Sequence, residues 1–200
     1  MNDLVKFVKS FVPYDDARKI SEYARLNNDK FTNFGNTEQE FTFHAEFNNN
    51  EIKDLLQKYQ RLVYEFVTSN YPGPFHEYDE SKMHIAKFET GHGMHEHFDS
   101  TKPNDITTLI YLNEDYSGGD IYFPELNISI KPQEGDLLCF PDTPDFVHGV
   151  KPITSGTRYT HVTFWSNNIS KSSKIAFDKK VNRLLVDKDK KPIMSASPTE

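Results

Sequence analysis

The sequence predicts a mainly β protein with supporting helices: a double-stranded β-helix, or jelly-roll, core with N-terminal helices packed on one sheet. Two observations carry this. Between residues 83 and 165, short runs of β-branched and aromatic residues alternate with Gly, Pro, Asn and Asp, and no helical pattern recurs. Upstream, by contrast, apolar residues fall twice at the spacing of one helix face.

Taken in order, a short apolar entry at 7–13 leads to Asp15 or Asp16, either of which can cap a helix whose Ala17, Ile20 and Ala24 share a face. Residues 28–50 are rich in Asn, Thr and Phe, and 41–47 alternates as a strand does. Asn49 or Asn50 then opens a second helix, because Ile52, Leu55, Leu56, Tyr59, Leu62, Val63 and Phe66 recur at helical spacing; that face should pack against a sheet. Strands are expected at 83–88, 107–112, 121–123, 128–130, 136–140, 148–150 and 158–165. Beyond Asn168 the composition shifts to Lys, Asp and Ser. This implies a single domain over 1–168 and a charged C-terminal appendage over 169–200, partly ordered at best.

With 36% hydrophobic and 14% aromatic residues, 200 residues suffice for one sizeable core. A net charge of −7 gives no general attraction to phosphate backbones, which makes nucleic acid a poor first partner. The single cysteine, Cys139, rules out an intramolecular disulfide and suits a reducing compartment, so a cytoplasmic location is expected. No run reaches the roughly 18 apolar residues of a membrane span, and charge interrupts the opening residues too early for a signal peptide, so the mature chain is expected to begin at Met1.

The chemistry concentrates in Phe88-Glu89-Thr90-Gly91-His92-Gly93-Met94-His95-Glu96-His97-Phe98-Asp99. In an extended segment residues i and i+2 project from one face with Cα atoms about 6.5–7 Å apart, so His97 and Asp99 can converge on one ion. The best third ligand is His148. One carboxylate with two imidazoles is the ligand set of the facial triad of non-haem Fe(II) oxygenases, with positions left open for a co-substrate and O2; zinc would also accept these ligands. Arg158, ten residues beyond His148, tips the balance, because a planar guanidinium suits bidentate binding of a carboxylated co-substrate. Arg158 shares a strand face with Thr160, Val162 and Phe164, as Tyr111 and Thr107 do with Leu109. His95-x-His97, with His92 nearby, is the competing metal pair.

In their order these elements resemble the prolyl 4-hydroxylase family of 2-oxoglutarate/Fe(II)-dependent dioxygenases. The resemblance runs from about Phe88 to Trp165: Phe88…Gly91, His97-x-Asp99, Tyr111-Leu112-Asn113, Gly118-Gly119-Asp120, Pro132-Gln133-Glu134-Gly135, His148, then Pro152, Gly156 and Arg158. It implies Fe(II) on His97, Asp99 and His148, and 2-oxoglutarate chelating that iron, with its distal carboxylate on Arg158 and Tyr111 and with Thr107 in the same co-substrate site. It further implies O2 as oxidant, ascorbate as an auxiliary cofactor, and release of succinate and CO2 as a C–H bond is hydroxylated, above all on a prolyl residue of a peptide or protein. The chain departs from the family at three places: Phe88 stands where Tyr is usual, Ile121 where Thr is common, and Phe164 where the family's Trp usually lies, with Trp165 next door. Phe88, Phe140 and Phe164 are expected to dry the pocket rather than take part in chemistry.

Two rival functions bear on the same residues. A nucleic-acid demethylase of the same superfamily would carry a second Arg on the strand after Arg158, where Phe164 and Trp165 stand. A non-enzymatic metal-bound jelly roll holding a sugar or other small ligand would release no succinate. Substrate contacts are expected on the loops around 28–50 and 71–82.

Overall fold

The structure, a computed structural model, describes residues 3–33, 40–43, 47–73, 75, 84–99 and 105–166. The appendage expected over 169–200, and much of the 28–50 and 71–82 segments, lie outside the described residues.

Two helices precede the main β region. α1 (Tyr14–Leu26) buries Ala17, Ile20 and Ala24 on one face, as the spacing predicts. It starts two or three residues earlier than expected: Pro13 holds the cap position, with no side-chain cap, and Asp15 and Asp16 sit in the first turn, where they complement the helix dipole. Asp16 also accepts hydrogen bonds from the Tyr59 hydroxyl and from Lys58, which ties the helix to the next one. That helix, α2 (Asn50–Asn70), is capped by Asn49, whose side chain accepts from the Ile52 N–H at 3.2 Å. Ile52, Leu56, Tyr59, Val63 and Val67 are buried, but Leu62, expected on that face, lies at its margin and is 40% exposed. No helix among the described residues is long and apolar enough to cross a membrane.

The strands are β1 (Lys6–Val8), β2 (Thr32–Asn33), β3 (Glu40–Phe43), β4 (His84–Phe88), β5 (Met94–His97), β6 (Ile106–Tyr111), β7 (Ser117–Gly118), β8 (Ile121–Phe123), β9 (Ile128–Ile130), β10 (Leu137–Pro141), β11 (His148–Val150), β12 (Ile153–Ser155) and β13 (Arg158–Trp165). They form a seven-stranded sheet ordered β1-β10-β6-β13-β4-β3-β2, a four-stranded sheet ordered β5-β11-β8-β9, and the pair β12-β7, all antiparallel. The fold is mainly β with a jelly-roll core.

Alternation along the central strands divides the core into two layers. Ile106 and Ile110 of β6, Leu137 and Cys139 of β10, and Tyr159 and Trp165 of β13 pack with Ile20, Leu56 and Val63 of the helices. The opposite residues of the same strands, Leu109, Tyr111, Leu138, Phe140 and Val162, pack with Ile121, Phe123 and Ile130 of the smaller sheet. Phe123 and Phe140 meet edge to face, 5.0 Å apart, across the two sheets. The interior layer is where the candidate site lies.

Candidate metal centre

β5 and β11 are hydrogen-bonded neighbours, and their register sets His97 directly opposite His148. Cross-strand partners point to the same face, so both imidazoles enter the interior with ring centroids 4.4 Å apart. In each ring Nδ1 meets a backbone carbonyl two residues upstream: His97 with His95 O at 2.7 Å and His148 with Phe146 O at 3.1 Å. A carbonyl can only accept, so Nδ1 carries the hydrogen and the neutral ring presents the Nε2 lone pair inward. Asp99 lies between the two, with Oδ1 3.1 Å from His97 Nε2 and Oδ2 3.6 Å from His148 Nε2. One ligand atom from each of the three residues falls within 4.8 Å of the others, a spacing that could hold a metal ion.

The carboxylate is fixed from two sides. The backbone N–H of Asp99 donates to Asp142 Oδ1 at 2.6 Å, and the Thr107 hydroxyl donates to Asp99 Oδ2 at 3.1 Å. Phe140 and Phe123 flank the His148 ring at 4.6 and 5.7 Å. Burial works against the protonated form of both imidazoles. At His97 the hydrogen bond and charge of Asp99 overcome it and raise the pKa; at His148 burial and the neighbouring His97 prevail, and the pKa falls to about 4. Burial also opposes ionisation of Asp99, but the two imidazoles and the Thr107 hydroxyl outweigh it and hold the carboxyl below the usual carboxylate range. The site is therefore an anionic carboxylate between one readily protonated and one neutral imidazole. His92 and His95 are not part of the group, and His95 is exposed.

Along the same interior, β13 presents Arg158, Thr160 and Val162; Thr160 pairs with Tyr111, Val162 with Leu109 and Phe164 with Thr107. Tyr111 and Thr107 thus mark two ends of one row, about 13 Å apart along β6. Arg158 is 2% exposed, and its Nη1 donates to Gly119 O at 3.1 Å. Its guanidinium lies 4.7 Å from the Phe88 ring centroid and 5.8 Å from that of Tyr111. Gly119 has φ +69°, a left-handed conformation that favours glycine, and a Cβ there would press on the end of the Ile153 side chain at 2.5 Å. Among the described residues Arg158 has no carboxylate partner, and four buried polar atoms around it lack hydrogen-bond partners: Arg158 Nε and the hydroxyl oxygens of Tyr111, Thr160 and Tyr116. A buried cation ringed by idle donors fits a carboxylate ligand.

Comparison with known proteins finds likenesses in both sequence and fold. Residues 83–167 match the family model of the 2OG-Fe(II) oxygenase superfamily. That match takes in the strands that carry the candidate site and covers less than half of the chain. A protein of Acanthamoeba polyphaga mimivirus named as a prolyl 4-hydroxylase is 40% identical over 62 residues, 27% of this chain, and the match spans only 26% of that protein's length. The viral collagen prolyl hydroxylase of Paramecium Bursaria Chlorella virus-1, solved as a 2OG complex, superposes with a TM-score of 0.61 at 19% identity, covering 84% of this chain and 97% of that one. The prolyl hydroxylase of Trichoplax adhaerens, solved with a hypoxia inducible factor oxygen degradation domain peptide fragment, superposes with a TM-score of 0.65 at 16% identity over 88% of this chain and 87% of that one. Both structural likenesses speak to the fold.

Within this matched segment the structure brings His97, Asp99 and His148 together and gathers Arg158 with Tyr111 at the other end of the row, while the Thr107 hydroxyl is engaged by Asp99. The motif order does not reveal Asp142, Tyr116 or the unpaired Thr160. The first two sit in loops and meet the site only through the fold, though Thr160 could be read as the next residue on the Arg158 face.

Proposed function

We propose that this chain is a 2-oxoglutarate- and Fe(II)-dependent dioxygenase that hydroxylates a prolyl residue of a peptide or protein. The observation that carries the proposal is the pairing of a two-imidazole, one-carboxylate cluster with a guanidinium buried in the same interior layer that has no acidic partner among the described residues. In this reading His97, Asp99 and His148 hold Fe(II). Each Nδ1–H on a carbonyl keeps its ring from turning, and Asp142 and Thr107 keep Asp99 aimed. Arg158 and Tyr111 take the distal carboxylate of 2-oxoglutarate, in a pocket dried by Phe88 and Phe140, where low dielectric strengthens the pairing. The bound metal and co-substrate supply the oxidation: one O2 is shared between the substrate C–H bond and 2-oxoglutarate, which leaves as succinate and CO2.

The preference for a prolyl substrate draws on the names of the matched proteins, including the peptide-bound Trichoplax structure. Phe164, half-exposed, and Trp165 stand at the β13 positions where a nucleic-acid demethylase needs a second arginine. Ascorbate serves as the auxiliary reductant, and the single buried cysteine suits a reducing cytoplasm.

Incubation with Fe(II), 2-oxoglutarate, O2, ascorbate and a panel of proline-containing peptides tests the reading. Succinate should accumulate in step with a peptide mass gain of one oxygen. Failure to form succinate with any peptide, by protein that binds Fe(II), would overturn it in favour of a non-catalytic metal-bound module.

A further inference from the structure

Of the polar atoms left unpaired around Arg158, the reading above does not use the hydroxyls of Thr160 and Tyr116, and the Tyr116 ring is the one that borders the same glycine as the Arg158 stem. Tyr116 lies in the loop between β6 and β7, is 7% exposed, and keeps its hydroxyl buried with no hydrogen-bond partner. A Cβ built on Gly119 would sit 3.2 Å from Tyr116 Cε2 and 3.6 Å from Arg158 Cδ, so the phenol ring and the guanidinium stem border one glycine. Tyr116 also shares an apolar cluster with Ile153 and with Phe88, whose ring carries the guanidinium. Burial pushes the phenol pKa up to about 12 against the opposing charge of Arg158, so the O–H stays a neutral donor. A buried hydroxyl without an acceptor is costly, and an anion beside Arg158 would provide one.

Resting on the co-substrate reading above, we infer that Tyr116 is a further hydrogen-bond donor to the distal carboxylate of 2-oxoglutarate, beside Arg158 and Tyr111. Its loop supplies the hydroxyl that Phe88, standing where the resembling family usually has Tyr, does not carry. One carboxylate offers about four lone-pair sites, enough to accept from Arg158 and both phenols together. A donor set of this size selects for a dicarboxylate, because a 2-oxo acid without the second carboxylate would leave all these donors unpaired.

The test is calorimetric titration of 2-oxoglutarate into Mn(II)-loaded protein without O2, for wild type, Tyr116→Phe, Arg158→Ala and the double variant Phe88→Tyr/Tyr116→Phe. Tyr116→Phe should weaken 2-oxoglutarate binding about tenfold, the scale for one hydrogen bond to a charged group, with Mn(II) affinity unchanged. The double variant, with the hydroxyl moved across the same cluster, should recover part of the loss. Binding within twofold of wild type in Tyr116→Phe, while Arg158→Ala loses affinity, overturns the role of Tyr116 and leaves the co-substrate reading standing. Unchanged binding in both single variants overturns the co-substrate reading as well. A loss that the double variant does not recover, matched by weaker Mn(II) binding, is a packing effect and overturns the donor role.

Discussion

The two faces of β13 treat buried polar groups in opposite ways. On the helix side, Trp165 Nε1 donates to the Thr108 hydroxyl at 2.9 Å, that hydroxyl to Thr163 O at 3.2 Å, and the Thr163 hydroxyl to Gln60 at 3.1 Å. Apart from Gln60 Nε2, this face completes its own hydrogen bonding. On the interior side, Arg158 Nε and the hydroxyl of Thr160, with that of Tyr111 across the ladder, have none. Arg158, Thr160 and Val162 are as buried as Tyr159, His161, Thr163 and Trp165, so exposure does not explain the difference. One face is finished by folding; the other leaves donors that a ligand of the proposed kind would complete.

The largest expected effect lies at the metal end of the interior face. His97→Ala, Asp99→Ala or His148→Ala should abolish succinate formation and weaken Fe(II) binding by more than about 100-fold, beyond the range for outer-shell changes, with the fold retained. Anaerobic calorimetry checks this; tight iron binding kept by all three variants would move the site to His92 and His95.

Next, truncations on the two faces of β13 should separate cleanly. Trp165→Ala should cost roughly 3–5 kcal/mol of stability in urea titrations, the range for truncating a large core aromatic, and leave the 2-oxoglutarate KM of the folded fraction unchanged. Arg158→Ala should do the reverse: a KM penalty of roughly 2–4 kcal/mol, only partly recovered by Arg158→Lys, with little loss of stability. If Arg158→Ala unfolds the protein and spares KM, the contrast between the faces is wrong.

A smaller effect sharpens the same contrast through pH. In the metal-free protein Asp99 raises the pKa of His97 above its ordinary 6.5, and His97 must shed that proton to coordinate. His148, pushed down to about 4, is already neutral. Iron affinity should therefore fall as pH drops through the raised His97 value, with about one proton released per metal between about pH 8 and pH 5. The sign for folding is opposite: the His97 contribution to metal-free stability is fully present below pH 6.5 and is lost as pH rises through the raised value. Calorimetry in buffers of different ionisation enthalpy counts the protons, and a count of two would show that His148 is not depressed.

What could be read from the chain alone follows from locality. Alternation along β6, β10 and β13 marks strands buried on both faces, and His97-x-Asp99, His148 and Arg158 carry their chemistry in residue type and order. β5 escapes that reading because Met94-His95-Glu96-His97 has exposed residues before its one buried imidazole, so no apolar period announces a strand. β7 is two residues long, too short for a period, β1 is half-buried throughout and shows no alternation, and β12 has one buried residue followed by two exposed polar ones. Asp142 and Tyr116 were illegible for another reason: the partner that gives Asp142 meaning lies 43 residues away, and Tyr116 looks like any loop aromatic until Gly119 and Arg158 are placed beside it.

The direct opposition of His97 and His148 has one more consequence. β5 is the edge of the four-stranded sheet, held on one side only, and the two histidines belong to strands far apart in the chain. An ion captured there acts as a non-covalent cross-link, clamping the outermost strand to its neighbour as a disulfide would in a protein with more than one cysteine. Because a one-residue slip of β5 would turn His97 out of the interior, the clamp closes only on the correct register. The ion would thus proofread the assembly of the barrel mouth as well as serve it, and loss of metal would loosen that rim first, well before the sheet beneath it.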